Sequence, residues 1–541
     1  GSSPMADVLQ RTLTEHPRKV VAACAAAVAA VGVYRLLRRS SRPGQDIPYV
    51  KGGLPLVGHL REVLRYGKDC KKIALGRIAI DAKEQDGLDV FRIGVMGRQL
   101  VLVADPDIAE EVLKGDPHRF TKTFSGLGGS AKLMLEIFGD SGLFFVATED
   151  PKWAITHNIL KAPFSIKGMR ELLPLMAEQA DRLVEALKRE VGFGGVVYID
   201  RWVTKMAFET IAVCGLGTAF GSFDDGKDHP FISALNAVMR GMLPFSLCPP
   251  FLWPLLLRRQ KRQIMADAAF VRGACCDVIR KRREGSTHSS GSRGDLLELM
   301  LHERDPKSGQ GMDETMIVDN VLTFLFAGQD STAAAMASCL CFLCAHPACK
   351  KRLLREIDDV VGKGPLQWEH LAELRYLDCC VKETLRLVPP AAAVARGAKG
   401  EQLLAGKWHV RDQDFVVVAI MALHYDRKLW GEDAQLFRPE RWEERPEPPH
   451  KFAFLPFASG PRACTGREFT LVEQKVTMVK LLQHFDFKRP AEVKAEEGYN
   501  TVRSADMVHP PFVGMDVEFK ATSAFVGLFS AFELLERKRE V

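Results

Sequence analysis

The run FASGPRACTG, residues 457–466, puts one arginine two residues before one cysteine and fences the pair with Gly460 and Gly466. A cysteine thiolate that ligates a metal must sit in a tight loop whose backbone N–H groups point at the sulfur, and flanking glycines permit such a loop. Arg462 offers a fixed charge for a carboxylate near the same plane, and Phe457 offers an apolar screen against water. The chain continues as GREFTLVEQKVTMVKLLQHF, a helical pattern whose N-terminus favours the anionic form of Cys464. F-x-x-G-x-R-x-C-x-G fixes five positions, which chance supplies about once in several thousand chains of this length. The run therefore needs an explanation beyond a buried cysteine in a turn.

Three further constellations are chemically suggestive. KETLRL places Glu383 and Arg386 three residues apart on one helix face, a pair that by itself is as easily a surface salt bridge. DPKWAITHNILKAPFS sets Trp153 and His157 one helical turn apart. AGQDST, residues 327–332, interrupts the apolar stretch Asn320–Ala345, which is long enough to span a bilayer. A central aspartate in lipid costs roughly 2.5–3.5 kcal/mol, so that stretch is better read as a helix through the middle of a core, with a polar notch that marks a site.

These residues need a large scaffold. The chain has 541 residues, 47% hydrophobic and 26% charged, as an ordinary globular protein does. Its 74 basic and 68 acidic residues leave +6, without the basic runs interleaved with aromatics that nucleic acid requires. Thirteen cysteines in irregular spacing argue for reduced thiols packed as small apolar groups; the cluster Cys339, Cys341, Cys344 and Cys349 is scattered around a helix axis and reads as core. Residues 1–4 are set aside as a cloning scar. Val20–Tyr34 has no charge over fifteen residues and, with Leu36 and Leu37, reads as a membrane anchor within residues 5–42. A signal peptide and a buried Ala-rich helix are its rivals. The arginines that follow place the rest on the cytoplasmic side. A Pro-rich hinge covers 43–60. Leu88–Ala104 alternates as a hairpin turned near Gly97, Asp105-Pro106 opens a helix, and helical periodicity dominates as far as about residue 385, with strands returning at Asp414–Ile420 and Gly514–Phe519. Residues 521–541 place Phe525, Leu528, Phe529 and Phe532 on one helical face ahead of a charged tail.

FASGPRACTG resembles the haem-binding signature of the cytochrome P-450 family, the haem-thiolate monooxygenases, and the other motifs follow in that family's order over roughly residues 50–520. The resemblance implies a mainly α, triangular haem domain with small β-sheets, here 61–520 behind an N-terminal membrane anchor, and haem b with Cys464 as the axial iron ligand. It implies that Trp153, His157, Arg396 in VARGA and Arg462 serve the haem propionates and that Phe457 shields the sulfur. Arg441 in FRPERW would join Glu383 and Arg386 in a buried structural triad. In AGQDST it implies Asp330 as proton donor and Ser331 as the hydroxyl that steadies oxygen and water. The family usually has threonine at that place, so Thr332 remains an alternative. Phe144 and Ala327 correspond to substrate-lining positions.

The same resemblance implies insertion of one oxygen atom into an unactivated C–H bond, with electrons from an NADPH-dependent flavoprotein reductase, since no G-x-G-x-x-G opens a strand-helix unit; cytochrome b5 is a further possible donor. Arg467 and Lys475 would face such a partner. The expected setting is the endoplasmic reticulum membrane with the catalytic domain in the cytosol. The motif detail is similar to fatty-acid hydroxylases, whereas the whole chain resembles a trypanosomatid sterol-oxidising member, which makes a sterol methyl group the first expectation for a lipophilic substrate and a fatty acid the second. A haem- and lipid-binding protein without oxygen chemistry is the alternative of another class.

Overall fold

The computed structural model describes residues 46–487 apart from 54–57, 60–73, 96–97, 117, 123–128, 192–198, 225–227, 243, 246–247, 249–251 and 286–293, together with strand residues 511–512 and 515–516. The expected anchor within 5–42 and the extension 521–541 lie outside the described residues. No single helix among the described residues is long and apolar enough to cross a membrane.

The principal helices are α1 (Ala74–Asp86), α2 (Pro106–Lys114), α3 (Gly129–Phe138), α4 (Pro151–Leu160), α5 (Ile166–Val191), α6 (Ile199–Leu216), α7 (Pro230–Gly241), α8 (Arg258–Arg283), α9 (Leu296–His302), α10 (Glu314–Ala345), α11 (Pro347–Val360), α12 (Arg375–Leu387), α13 (Ile420–Tyr425) and α14 (Arg467–His484). Their starts follow the local chemistry. Asp105 and Asp150 each accept from backbone N–H groups of the first turn while Pro106 and Pro151 occupy the position whose N–H has no partner anyway. Asp313 caps α10 in the same way through Met316 N–H.

Strands are few: β1 (Val90–Val95), β2 (Arg98–Val103), β3 (Phe120–Thr121), β4 (Val394–Ala398), β5 (Gln402–Leu404), β6 (Trp408–Val410), β7 (Phe415–Val418), β8 (Pro511–Phe512) and β9 (Met515–Asp516). One sheet runs β1-β2-β7-β4-β3, and β5-β6 and β8-β9 form separate pairs. β1 and β2 make the expected hairpin, Val90 opposite Val103 and Val95 opposite Arg98. β2 then pairs in parallel with β7, Leu100 opposite Phe415, so segments about three hundred residues apart share a ladder. Both faces of this sheet are buried. Val101, Val103, Val416 and Val418 pack into a small satellite core, while Leu102 and Val417 join the main one. Ile420 belongs to α13 rather than to the strand expected from Asp414 to Ile420. The described part of the Pro-rich segment lies along β1: Val50 N–H donates to Arg92 O at 3.1 Å, Arg92 N–H to Pro48 O at 2.7 Å, and Gly94 N–H to His59 Nδ1 at 3.1 Å.

The main core is helical, and α10 runs through it against α6, both buried almost all round. This is why neither shows a clean one-sided apolar period. α14 packs on α5 and α10. Two polar residues of α10 fix the loop that follows α3. Asp319 accepts from Ser141 N–H at 3.2 Å and pairs with Arg272 at 2.8 Å, and Asn320 Oδ1 accepts from Leu143 N–H at 2.9 Å.

Candidate functional site

The loop that carries Cys464 is bent by two left-handed residues, Ala458 (φ 56°) and Gly460 (φ 78°). A Cβ on Gly460 would overlap the Leu113 carbonyl oxygen at the end of α2, so only glycine fits. Gly460→Ala should therefore cost more than the roughly 1–2 kcal/mol of a side chain at positive φ, read as a lower denaturation midpoint. Gly466 is different. Its φ of −81° suits any residue and a Cβ would meet only Phe164, at 4.0 Å, so it is not a conformational requirement of the loop. Cys464 N–H donates to Phe457 O at 2.9 Å, which closes the loop and turns the sulfur onto a cavity of about 350 Å3.

Burial pushes the Cys464 thiol above its ordinary pKa, while the Gly466 N–H and the charges of Arg467 and Lys122 pull the other way. The expectation that the start of α14 would favour the anion is thus only half met: those groups act as expected, but desolvation outweighs them. A thiolate here needs a cation on the sulfur itself, as a metal ligand has.

The same cavity collects the residues that the sequence scatters over three hundred positions. Trp153 and His157 line it from α4, with ring centroids 5.1 Å apart and planes 20° from parallel. Arg396 enters from β4 and Arg462 from the cysteine loop; Phe457 forms a wall. Burial pulls Arg396 down to about 10, and burial with the Arg396 charge pulls Arg462 to about 9. His157 is lowered from its ordinary pKa by burial, then by Lys161 and Arg462. Lys122, which the sequence did not single out, also lines this end with its ammonium 3.5 Å from the Phe144 ring centroid. Burial and the two arginines hold it well below its usual value. Just after a two-residue strand it carries no periodic or motif signal.

Three basic side chains, Arg396 buried and Lys122 and Arg462 partly so, gathered at one end of an apolar cavity call for anions. Arg396 Nη1 donates to Ala395 O at 2.9 Å and Arg462 Nη2 to Leu143 O and Phe144 O at 3.0 and 3.2 Å, yet Arg396 Nη2 and Arg462 Nη1 are buried with no partner among the described residues. Unsatisfied guanidinium nitrogens are costly unless a ligand completes them. A flat apolar group with carboxylates at this edge and a metal at the sulfur fits all of these residues.

Across the cavity lies the notch of α10. Ala327 and Ser331 are exposed to the cavity and Asp330 is half-buried at its edge. Ser331 Oγ donates to Ala327 O at 2.9 Å. Thr332 also borders the cavity but is 2% exposed, its hydroxyl 2.6 Å from that of Thr470 on α14. The two hydroxyls are thus distinct: Ser331 faces the space and Thr332 faces a neighbouring helix. Phe144 lines the opposite wall on the loop clamped between Asn320 and Arg462.

Glu383, Arg386 and Arg441 do not line the cavity. Arg386 and Glu383 are fully buried behind it on α12, bonded at 2.8 Å, and Arg441 Nε donates to Glu383 at 2.9 Å from the short helix Arg441–Glu444. Arg438 N–H and Trp442 Nε1 donate to the same carboxylate at 3.1 and 3.0 Å. Arg386 also donates to the carbonyls of His424 and Ala434 at 2.7 and 2.6 Å. The Arg386 and Arg441 charges hold Glu383 below its ordinary pKa against the opposing effect of burial. His424 ties this cluster to the cysteine loop's approach: Nε2 accepts from Leu455 N–H at 2.8 Å, so Nδ1 carries the proton it gives to Arg386 O at 2.8 Å. Burial pushes His424 down to about 3. A histidine held neutral contributes stability that is complete above its unfolded pKa of about 6.5 and is lost as pH falls toward 3, by up to about 1.4 kcal/mol per pH unit. Denaturation midpoints between pH 7 and 4 should show this slope reduced in His424→Gln.

Arg467 and Lys475 part company. Arg467 is exposed, 3.6 Å from Glu468. Lys475 pairs with Asp378 at 3.0 Å and donates to Leu371 O at 3.3 Å, so it braces α14 against its neighbours rather than offering a charge to a partner.

Comparison with known proteins agrees with this geometry. The family model described as Cytochrome P450 matches residues 53–511. The chain is 29% identical over 448 residues to the bifunctional cytochrome P450/NADPH–P450 reductase ascE of Acremonium egyptiacum, covering 81% of this chain and 40% of that protein. It is 32% identical to the self-sufficient cytochrome P450 monooxygenase CYP505AG1 of Oidiodendron maius, over 74% of this chain and 36% of that one. A bifunctional cytochrome P450/NADPH–P450 reductase of Bacillus cereus is 31% identical over 73% of this chain and 36% of its own length. The chain thus spans well under half of these relatives. It belongs to the cytochrome P450 family, whose cofactor is a cysteine-ligated haem iron.

Proposed function

We propose that this member of the cytochrome P450 family is a reductase-dependent monooxygenase that inserts one oxygen atom of O2 into a C–H bond of a lipophilic substrate. The observation that carries the reading is the meeting, in one apolar cavity, of the Cys464 sulfur with the Asp330-Ser331 notch of α10. When bound, haem supplies a redox iron at which O2, two electrons, two protons and the substrate become water and an alcohol. Cys464 would ligate the iron, with the Phe457 carbonyl fixing its loop. Arg396, Arg462, Trp153 and His157, with Lys122, would hold the propionates. Asp330 moves protons into the cavity from its half-buried edge, and Ser331, the hydroxyl that faces the space, receives them there. Thr332 is engaged with Thr470 and serves that pair instead. Phe144 and Ala327 shape the wall against which the substrate lies, and the Glu383–Arg386–Arg441 cluster keeps α12 and the segment before the cysteine loop in register.

Electrons come from an NADPH-dependent flavoprotein reductase, a reading supported by relatives whose names pair a cytochrome P450 with such a reductase; cytochrome b5 would be a second donor. Anchoring on the endoplasmic reticulum membrane with the domain in the cytosol rests on residues 20–37. For the substrate, the whole-chain resemblance puts a sterol methyl group first, and the motif detail puts a fatty-acyl chain second. Reductase-supported turnover of both panels is the deciding experiment: strictly NADPH-dependent alcohol formation is expected, and haem binding with no oxidation of any lipid would favour a carrier instead. Asp330→Asn should slow product formation by about 10²-fold or more, the usual share of a positioned proton donor, with haem content unchanged. Unaltered turnover would remove Asp330 from the mechanism.

A further inference from the structure

A second cavity, of about 440 Å3, lies where the ends of α4 and α6 meet the starts of α5 and α9. Small residues make the room: Ala162 after α4, Gly168 near the start of α5, and Cys214 and Gly215 at the end of α6. The floor is apolar, with Met169, Leu172 and Leu299, and the inner wall is Phe164 and Phe469, whose ring centroids are 6.3 Å apart. The same two rings line the site cavity, so the two spaces share a wall. The second cavity reaches the surface at Glu303 and Arg304, both exposed.

Its polar groups are few, and they are not equally engaged. Asp295 is held by Arg282 at 2.6 Å and caps α9. Arg304 Nη1 donates to Gly309 O at 3.1 Å. Asn158 Nδ2 donates to Asp305 Oδ1 at 2.9 Å, which fixes the amide and leaves its Oδ1 as an acceptor with no donor among the described residues. Glu171 and Glu303 have neither an ion-pair nor a hydrogen-bond partner among the described residues. The groups left over are therefore three acceptors, two of them carboxylates, beside one guanidinium already partly engaged. An apolar pocket of this size with a small number of polar groups is the usual form of a small-molecule site. Acceptors call for donors, and a protonated amine brings three of them on a positive charge.

We propose that this cavity is a second ligand site, distinct from the one that faces Cys464, for a small lipophilic primary ammonium ion. The apolar body lies on Met169, Leu172 and Leu299 against the two phenylalanine rings, and the ammonium sits at the mouth among Glu171, Glu303 and Asn158 Oδ1. An anion is disfavoured there, since only Arg304 would receive it and Glu303 is its neighbour. The site does not depend on the oxygenase reading above, because nothing in it calls on iron, oxygen or a reductase.

Because the two cavities share a wall, the test must tell them apart. Equilibrium dialysis of the full-length, haem-loaded protein as its reduced carbon-monoxide complex, in which the amine has no access to the iron, compares phenylbutylammonium with phenylbutanol and phenylpentanoate, probes of one body and different charge. The ammonium should bind saturably and at least about tenfold tighter than the carboxylate, which meets like charge at the mouth. Glu171→Gln together with Glu303→Gln should weaken ammonium binding about fivefold or more, as two exposed ion pairs allow, and leave phenylbutanol unchanged. Ala162→Trp, at an exposed position beside the cavity, should abolish saturable binding of the ammonium while the carbon-monoxide spectrum stays that of wild type. A crystal structure with phenylbutylammonium should place its nitrogen within hydrogen-bond distance of Glu171, Glu303 or Asn158 Oδ1. No saturable binding, tighter binding of phenylpentanoate, ammonium binding indifferent to both variants, or the probe found in the site cavity instead would each overturn the proposal.

Discussion

Purified Cys464→Ala protein should give no thiolate-type spectrum in its reduced carbon-monoxide complex and no measurable NADPH-dependent oxidation. The loss is expected to be total because no other described cysteine is placed to substitute. Cys214, Cys275, Cys339, Cys379 and Cys380 are buried, and burial raises each thiol; none of them lines the site cavity. Backbone folding should survive, since the bonds that close the loop, Cys464 N–H to Phe457 O and Ala463 N–H to Gly460 O, are main-chain. A folded variant without haem spectrum, with far-ultraviolet circular dichroism unchanged, is the expected result. A variant that kept the thiolate spectrum would reassign the ligand.

The second large effect is structural. Glu383→Ala should destabilise the protein by about 3–5 kcal/mol, the cost of leaving buried charges uncompensated. That is a large part of the roughly 5–15 kcal/mol by which a domain is stable. Two guanidinium groups, a backbone N–H and an indole N–H all give to this one carboxylate. Denaturant titration measures the loss, and haem should be released at a lower denaturant concentration than in wild type. Glu383→Gln keeps the shape but halves the acceptors and removes the charge, so it should fall between the two. If alanine costs less than about 1 kcal/mol, the value of an exposed pair, the cluster is not the brace described here.

What the sequence made legible was local. The cysteine loop, the Pro-opened helices at Pro106 and Pro151 and the β1-β2 hairpin each depend on neighbouring residues, and each lies where periodicity and turn chemistry put it. The cavity residues were found through motifs, and the chain brings them together from α4, α10, β4 and the cysteine loop. What stayed hidden depends on contacts between distant segments. Thr332 meets Thr470 across 138 positions, a pairing that spacing cannot disclose. Lys475 reads from the sequence as a cation facing a redox partner, and only the fold places Asp378 beside it. Lys122 acquires its meaning only from Arg396 and Arg462. Glu473 sits in a helix of ordinary composition, and only its surroundings show that it is fully buried with no ionic partner among the described residues.

The parallel ladder between β2 and β7 has a consequence for biosynthesis. Leu100 to Val103 leaves the ribosome long before Phe415 to Val418 exists, and at about 5–20 residues per second the interval is roughly a quarter of a minute to a minute. For that time a valine-rich strand edge waits without its mate, open to the strands of other nascent chains. Yield in cells should therefore respond to holdase capacity and to translation speed more than the stability of the finished protein would suggest.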